Sequence, residues 1–125
     1  MTELALIYYA LQEDLPVFGV CRGMQIMAHY FGYEISPFQG HAGTRHKVDI
    51  DGNLLEVNSY HDNCVPSEIK PPLAAFARDT NRHVEGFYHQ GKPLMAVMWH
   101  PERECQVPEF DSKLIRKFFD LPGRD

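Results

Sequence analysis

The sequence predicts an α/β fold, and three observations carry that reading. Pro16–Val20 is a short, nearly all-apolar run rich in strand formers, set between two segments with helical periodicity. Pro93–Trp99 is a second run of the same kind. Continuous apolar runs of this length suit strands buried on both faces by helices. An amphipathic segment near the C-terminus supplies a further helix. The 125 residues make one small domain rather than two. Apolar residues at 44%, charged residues at 23% and aromatics at 12% are the values of a globular chain, not a disordered one.

Taken in order, residues 2–14 form a helix, with Leu4, Ile7, Tyr8, Leu11 and Leu15 on its periodic stripe. Thr2 caps its start and Pro16 ends it. The buried strand Pro16–Val20 runs straight into Cys21. Met24, Met27, Ala28 and Phe31 then recur at helical spacing, with Gly32 as the stop. Residues 33–45 are loop-like, with Gly40 and Gly43. His46–Ile50 and Leu54–Val57 flank Asp51-Gly52-Asn53, a hairpin signal. The polar stretch Asn58–Asn63 follows. Leu73–Arg78 and Val84–Tyr88 read as two more strands around Asp79–Asn81, and Gln90–Lys92 is a turn before the buried strand 93–99. The last helix spans about Asp111 to Phe119, with Leu114, Ile115 and Phe118 inward.

Acidic residues outnumber basic ones, 17 to 12, for a formal charge of −5, and no Lys/Arg run occurs. A general nucleic-acid surface is therefore not expected. Nor is a membrane span, since no apolar stretch approaches the ~20 residues required. The N-terminus lacks the basic start and apolar core of a secretory signal. Three widely spaced cysteines do not form a disulfide framework, so a reducing cytoplasm is the expected compartment.

The chemistry centres on Gly19-Val20-Cys21-Arg22-Gly23, of the form G-x-nucleophile-x-G. A nucleophile on a tight strand-to-helix corner is pushed out of the sheet, and small residues two before and two after it let strand and helix approach. The helix beginning at Arg22 directs its first N–H groups at the thiol, favouring a thiolate and a developing oxyanion. The backbone N–H of Arg22 is the expected oxyanion donor. A cysteine is by default a small core hydrophobe; its place between a buried strand and a helix sets Cys21 apart. Cys64 and Cys105 have no such corner and read as inert thiols.

A thiol needs a base, and the base an orienting group. His100 ends the second buried strand, where ligands gather in parallel sheets. Pro101 disfavours helix at His100, so His100-Pro101-Glu102 is expected to be extended, projecting His100 and Glu102 to one side. Glu102 would then hold one imidazole nitrogen while the other faces the thiol. Metal binding is the competing use of the seven histidines, but the spacings argue against it. There is no C-x-x-C or H-x-x-x-H, and His41 and His46 lie apart in a glycine-containing loop.

The run from Pro16 to Gln25, PVFGVCRGMQ, resembles the nucleophile segment of class I glutamine amidotransferases. It is most like their γ-glutamyl hydrolase branch, including γ-glutamyl-γ-aminobutyrate hydrolase-like proteins. Val57-Asn-Ser-Tyr-His61 resembles that branch's middle motif, and Ala96-Val-Met-Trp-His-Pro-Glu102 its closing motif. The resemblance implies a flavodoxin-like, doubly wound, mostly parallel sheet. It also implies that Cys21 attacks the γ-carbonyl of glutamine or a γ-glutamyl compound and forms a thioester. His100 would shuttle the proton and Glu102 would orient His100. Gln25, Ser59, Tyr60 and His61 would hold the small-molecule substrate. No cofactor or metal is called for. Arg22, shared with the hydrolase-like branch, favours a free-standing hydrolase over a synthetase-coupled one.

The family's domain is normally longer, so residues 1–125 would be the C-terminal portion of a single domain lacking its N-terminal strands. The glycine-rich loop carrying the second oxyanion donor would also be missing, and no Gly-Gly pair occurs. Loss of one such donor costs on the order of 10²–10³ in rate. The expected partners are accordingly a synthetase, a missing half on another chain, or a second copy paired through an open strand edge. The alternatives are a glutaminase component passing ammonia to a synthetase, or an inactive binding subunit.

Overall fold

The computed structural model describes residues 2–37, 44–59, 63–103 and 109–119. Helix α1 (Glu3–Gln12) opens on the Thr2 cap, whose Oγ1 accepts the Ala5 N–H at 3.1 Å. It buries Ile7 and Ala10, while Leu4, Tyr8 and Leu15 of the expected stripe are exposed. The stripe is rotated because α1 packs on α2 along one narrow face, leaving Leu6 and Tyr9 exposed as well. Strand β1 (Val17–Val20) follows, then α2 (Arg22–Tyr30). Helix α2 ends as its glycine requires: Gly32 has φ +94, its N–H reaches His29 O, and Tyr33 N–H reaches Ala28 O, both at 3.0 Å.

Strands β2 (Ser36–Pro37), β3 (Thr44–Ile50), β4 (Asn53–Ser59), β5 (Asn63–Cys64), β6 (Leu73–Arg78), β7 (Val84–His89) and β8 (Leu94–Val97) follow, and helix α3 (Glu109–Phe119) closes the chain. The β3–β4 hairpin turns on Asp51 and Gly52, both at positive φ (51° and 85°), the left-handed pair that a two-residue hairpin loop demands. Asp79 closes the β6–β7 turn, its Oδ1 accepting the N–H groups of Asn81 and His83 at 2.8 Å each. Strand β8 is three residues shorter than the apolar run predicts, because the ladder begins only at Leu94 and the chain bends at Met98 and Trp99.

Six strands form one sheet in the order β1-β8-β7-β6-β3-β4, and β2 and β5 pair separately. The sheet is mixed. Strands β1 and β8 run parallel, from Val17↔Leu94 to Val20↔Val97, and the other neighbours are antiparallel. The parallel share is smaller than expected because short turns join β3 to β4, β6 to β7 and β7 to β8, and such turns connect only antiparallel strands. Both sheet faces are covered. One carries α1 and α2, with Ile7, Met24, Met27 and Ala28 packed among Leu73, Phe87, Leu94 and Ala96. The other carries α3, with Phe110 and Leu114 against Val48, Val57, Ala77, Val97 and Trp99. Val57 of the outermost strand thus shares a core with Val97 of the second strand, so the sheet curls into a half-barrel. Among the described residues no helix is long and apolar enough to cross a membrane.

Candidate active site

Cys21 sits at the corner between β1 and α2 with φ +51 and ψ −102. A side chain rarely adopts this conformation, which costs on the order of 1–3 kcal/mol and persists where the surroundings over-determine it. The surroundings do so here. Cys21 N–H donates to Val97 O at 2.8 Å, tying the corner to the end of β8, and Cys21 O accepts the first α2 hydrogen bond from Gln25 N–H at 3.1 Å. The preceding N–H groups of α2, that of Arg22 first, have no acceptor within the helix. They lie at its positive end. Cys21 itself is 9% exposed.

The flanking glycines differ. A Cβ on Gly19 would stand 3.0 Å from the Met27 sulfur and 3.1 Å from the Gly23 carbonyl carbon, so strand and helix approach as closely as the motif requires. A Cβ on Gly23 would meet nothing within 4 Å, so the close-approach reason expected there does not hold. Gly19→Ala is therefore expected to lower stability by about 1–3 kcal/mol through overpacking. Gly23→Ala is expected to be neutral or to gain up to ~1 kcal/mol of helix propensity. Thermal unfolding of the two variants checks the contrast.

His100 lies three residues past the end of β8, so it emerges at the same sheet end as Cys21, from the adjacent parallel strand. Its backbone is held on both sides by Asn58: His100 N–H donates to Asn58 Oδ1 at 2.8 Å, and Asn58 Nδ2 donates to His100 O at 2.7 Å. Just before it, the buried Trp99 donates its indole N–H to Asp111 Oδ1 of α3 at 2.7 Å. The His100–Glu102 segment is not extended. Pro101–Arg103 forms a 3₁₀ turn, with Arg103 N–H donating to His100 O at 3.1 Å. Proline restricts the residue before it but is itself well suited to the first position of a helical turn. Projection of His100 and Glu102 by strand alternation therefore does not apply, and the Glu102 side chain lies outside the described residues.

Of the expected substrate residues, Gln25 reaches back from α2 toward the end of β8, its Nε2 lying 3.8 Å from the Met98 sulfur. Ser59 ends β4 fully buried, and its Oγ has no hydrogen-bond partner among the described residues. Tyr60, His61 and Cys105 lie outside the described residues, as do Gly40, His41 and Gly43. A shallow cleft of about 450 Å³ opens one residue past Cys21, walled by Arg22, Gln25, Ile26, His29, Glu34 and Ile35. Cys21 and His100 are not among its walls, so it adjoins the corner rather than containing it.

Sequence reading missed two polar features. Asn58 is 4% exposed, and its signal was an amide in a strand interior, where such residues are disfavoured unless partnered. The second is the hydrogen bond between His46 Nε2 and the fully buried Glu85 Oε1 at 2.9 Å. Cys64 lies near it. Burial pushes the Cys64 thiol up to about 12, with the Glu85 and Asp79 carboxylates adding to the shift. That thiol is accordingly no nucleophile at neutral pH. Among the described residues, no group of three or more His, Cys, Asp or Glu side chains could hold a metal ion.

Known proteins place this arrangement. The family model for glutamine amidotransferase class-I matches residues 2–121. The chain is 33% identical over 119 residues to the gamma-glutamyl-CDP-amidate hydrolase of Campylobacter jejuni, covering 95% of this chain and 58% of that protein. It is 36% identical over 94 residues to the carbamoyl phosphate synthase small chain of Maridesulfovibrio salexigens, covering 72% of this chain and 25% of that one. Its fold matches a glutamine amidotransferase from Thermotoga maritima with a TM-score of 0.70 at 18% identity, over 80% of this chain and 46% of that one. A parallel strand pair with a cysteine corner at its end, matched by the family over nearly the whole chain, leads to one conclusion: the chain belongs to the class I glutamine amidotransferase family.

Proposed function

We propose that the chain takes part in cysteine-dependent hydrolysis of the γ-amide of glutamine or of γ-glutamyl compounds, through a γ-glutamyl thioester. The observation that carries this reading is the strained Cys21 corner, hydrogen-bonded to the end of the strand from which His100 emerges. In this mechanism His100 takes the Cys21 proton and the thiolate attacks the γ-carbonyl carbon, whose oxygen becomes an oxyanion. The Arg22 N–H receives that charge. The intermediate collapses as the C–N bond breaks, and the imidazolium gives its proton to the departing amine. His100 then draws a proton from water, which attacks the thioester, and the resulting collapse frees glutamate and restores the thiol. Glu102 is assigned the orientation of His100. Gln25, Ser59, Tyr60 and His61 are assigned to the glutamyl group, a role supported for Ser59 by its buried hydroxyl, which has no partner among the described residues.

A second reading is favoured by relatives named carbamoyl phosphate synthase small chain: glutamine hydrolysis that delivers ammonia to a synthetase partner. Ammonia release from glutamine, set against amine release from other γ-glutamyl conjugates, separates the two. Mass spectrometry after treatment with a glutamine-like chloroketone tests the shared chemistry. The expected result is one adduct, on Cys21, lost in His100→Ala. Equal labelling of Cys64 and Cys105 would overturn the assignment.

A further inference from the structure

Strand β4 stands four places from β8 in the sheet order, yet its Asn58 meets His100 because the sheet curls. The ladder of β8 stops at Val97, three residues before His100. The Asn58 carboxamide pairs with the His100 backbone. It accepts from the His100 N–H at 2.8 Å and donates to the His100 carbonyl at 2.7 Å, the exchange that two facing strand residues would make. Flipping the amide would set donor against donor and acceptor against acceptor, so the pairing fixes its orientation. At 4% exposure water does not compete for these groups. Two bonds to one residue's peptide groups fix both its position and its rotation, which a single bond would leave free.

We propose that Asn58 is a positioning residue that holds the His100 backbone, and through it the imidazole, in register with Cys21. The inference rests on the reading of Cys21 and His100 as nucleophile and base. It assigns Asn58 no contact with substrate. Its neighbour Ser59, on the opposite face of the strand, keeps the substrate role proposed above, so adjacent residues of one motif divide the work.

The test measures the inactivation of Cys21 by a glutamine-like chloroketone, separating the maximal rate from the half-saturating concentration. Turnover of γ-glutamyl-p-nitroanilide is followed in parallel. Asn58→Ala is expected to lower the maximal labelling rate about 10- to 100-fold with little change in half-saturation, since a misplacement of ~1 Å costs about 10²-fold. Asn58→Ser keeps a hydroxyl for one backbone group and should fall between Asn58→Ala and wild type, and it serves if the alanine variant does not fold. Leu73→Ala, a core truncation at the opposite end of the sheet, should lower the melting temperature and leave the labelling rate unchanged. A folded Asn58 variant labelled at the wild-type rate overturns the proposal. So does Leu73→Ala matching the Asn58 loss, which would make the effect general loosening. Wild-type labelling of Cys21 in His100→Ala would instead sink the underlying site reading, a result distinguishable from either.

Discussion

Cys21→Ala is expected to reduce hydrolysis of γ-glutamyl substrates by about 10⁴-fold or more, the scale seen when a covalent nucleophile is removed. The Cys64 thiol cannot substitute. Cys64 is buried and its thiol is pushed up to about 12, so it is protonated at any working pH. His100→Ala should cost nearly as much, and the double variant little more, because in the proposed mechanism the two act as one unit. Cys21→Gly adds a second readout. Glycine adopts φ +51 without penalty, so this variant should lose activity yet melt higher than Cys21→Ala, by the ~1 kcal/mol or more stored in the corner. Activity retained in Cys21→Ala, measured by glutamate release, would place the chemistry elsewhere.

The second large effect concerns Trp99, the chain's one tryptophan. It is 1% exposed, packs in the core beneath α3 and gives its indole N–H to Asp111. Trp99→Ala is expected to cost ~3–5 kcal/mol through the cavity alone. A further ~1–3 kcal/mol follows from removing the donor to a buried carboxylate. For a domain of this size the melting temperature should fall by at least ~10 °C. Trp99→Phe keeps much of the volume and loses the donor, so its drop should be smaller. Circular dichroism is the measurement, since the variants lack the natural fluorophore. A Trp99→Ala midpoint within a few degrees of wild type would show that α3 is held by other contacts.

Much of this molecule was legible in its sequence, and the reasons are local. Thr2, Gly32 and Asp51-Gly52 each satisfy a backbone demand within a few residues of themselves, and each element they bound lies where it is expected. The cysteine corner was legible for the same reason, with Gly19 giving its physical cause and Gly23 having none of that kind. The 3₁₀ turn at Pro101 departs from the expected extended segment because proline restricts the residue before it while itself suiting the first position of a helical turn. What sequence did not show is long-range. The curl of the sheet, the Asn58–His100 pairing and the His46–Glu85 pair join residues 39 to 42 positions apart. No local preference encodes such meetings. They follow from sheet twist and from how the two faces are filled.

The β3–β4 hairpin touches the rest of the ladder through a single registered pair, Asp49↔Arg78. Beyond that pair it is held by the packing of Val48 and Val57, by His46 against Glu85 and by the two Asn58–His100 hydrogen bonds. A segment with so short a ladder contact frays at less free energy than global melting. Warming would thus release the His100 backbone while most of the domain is still folded, so catalytic competence should fade several degrees before the bulk transition.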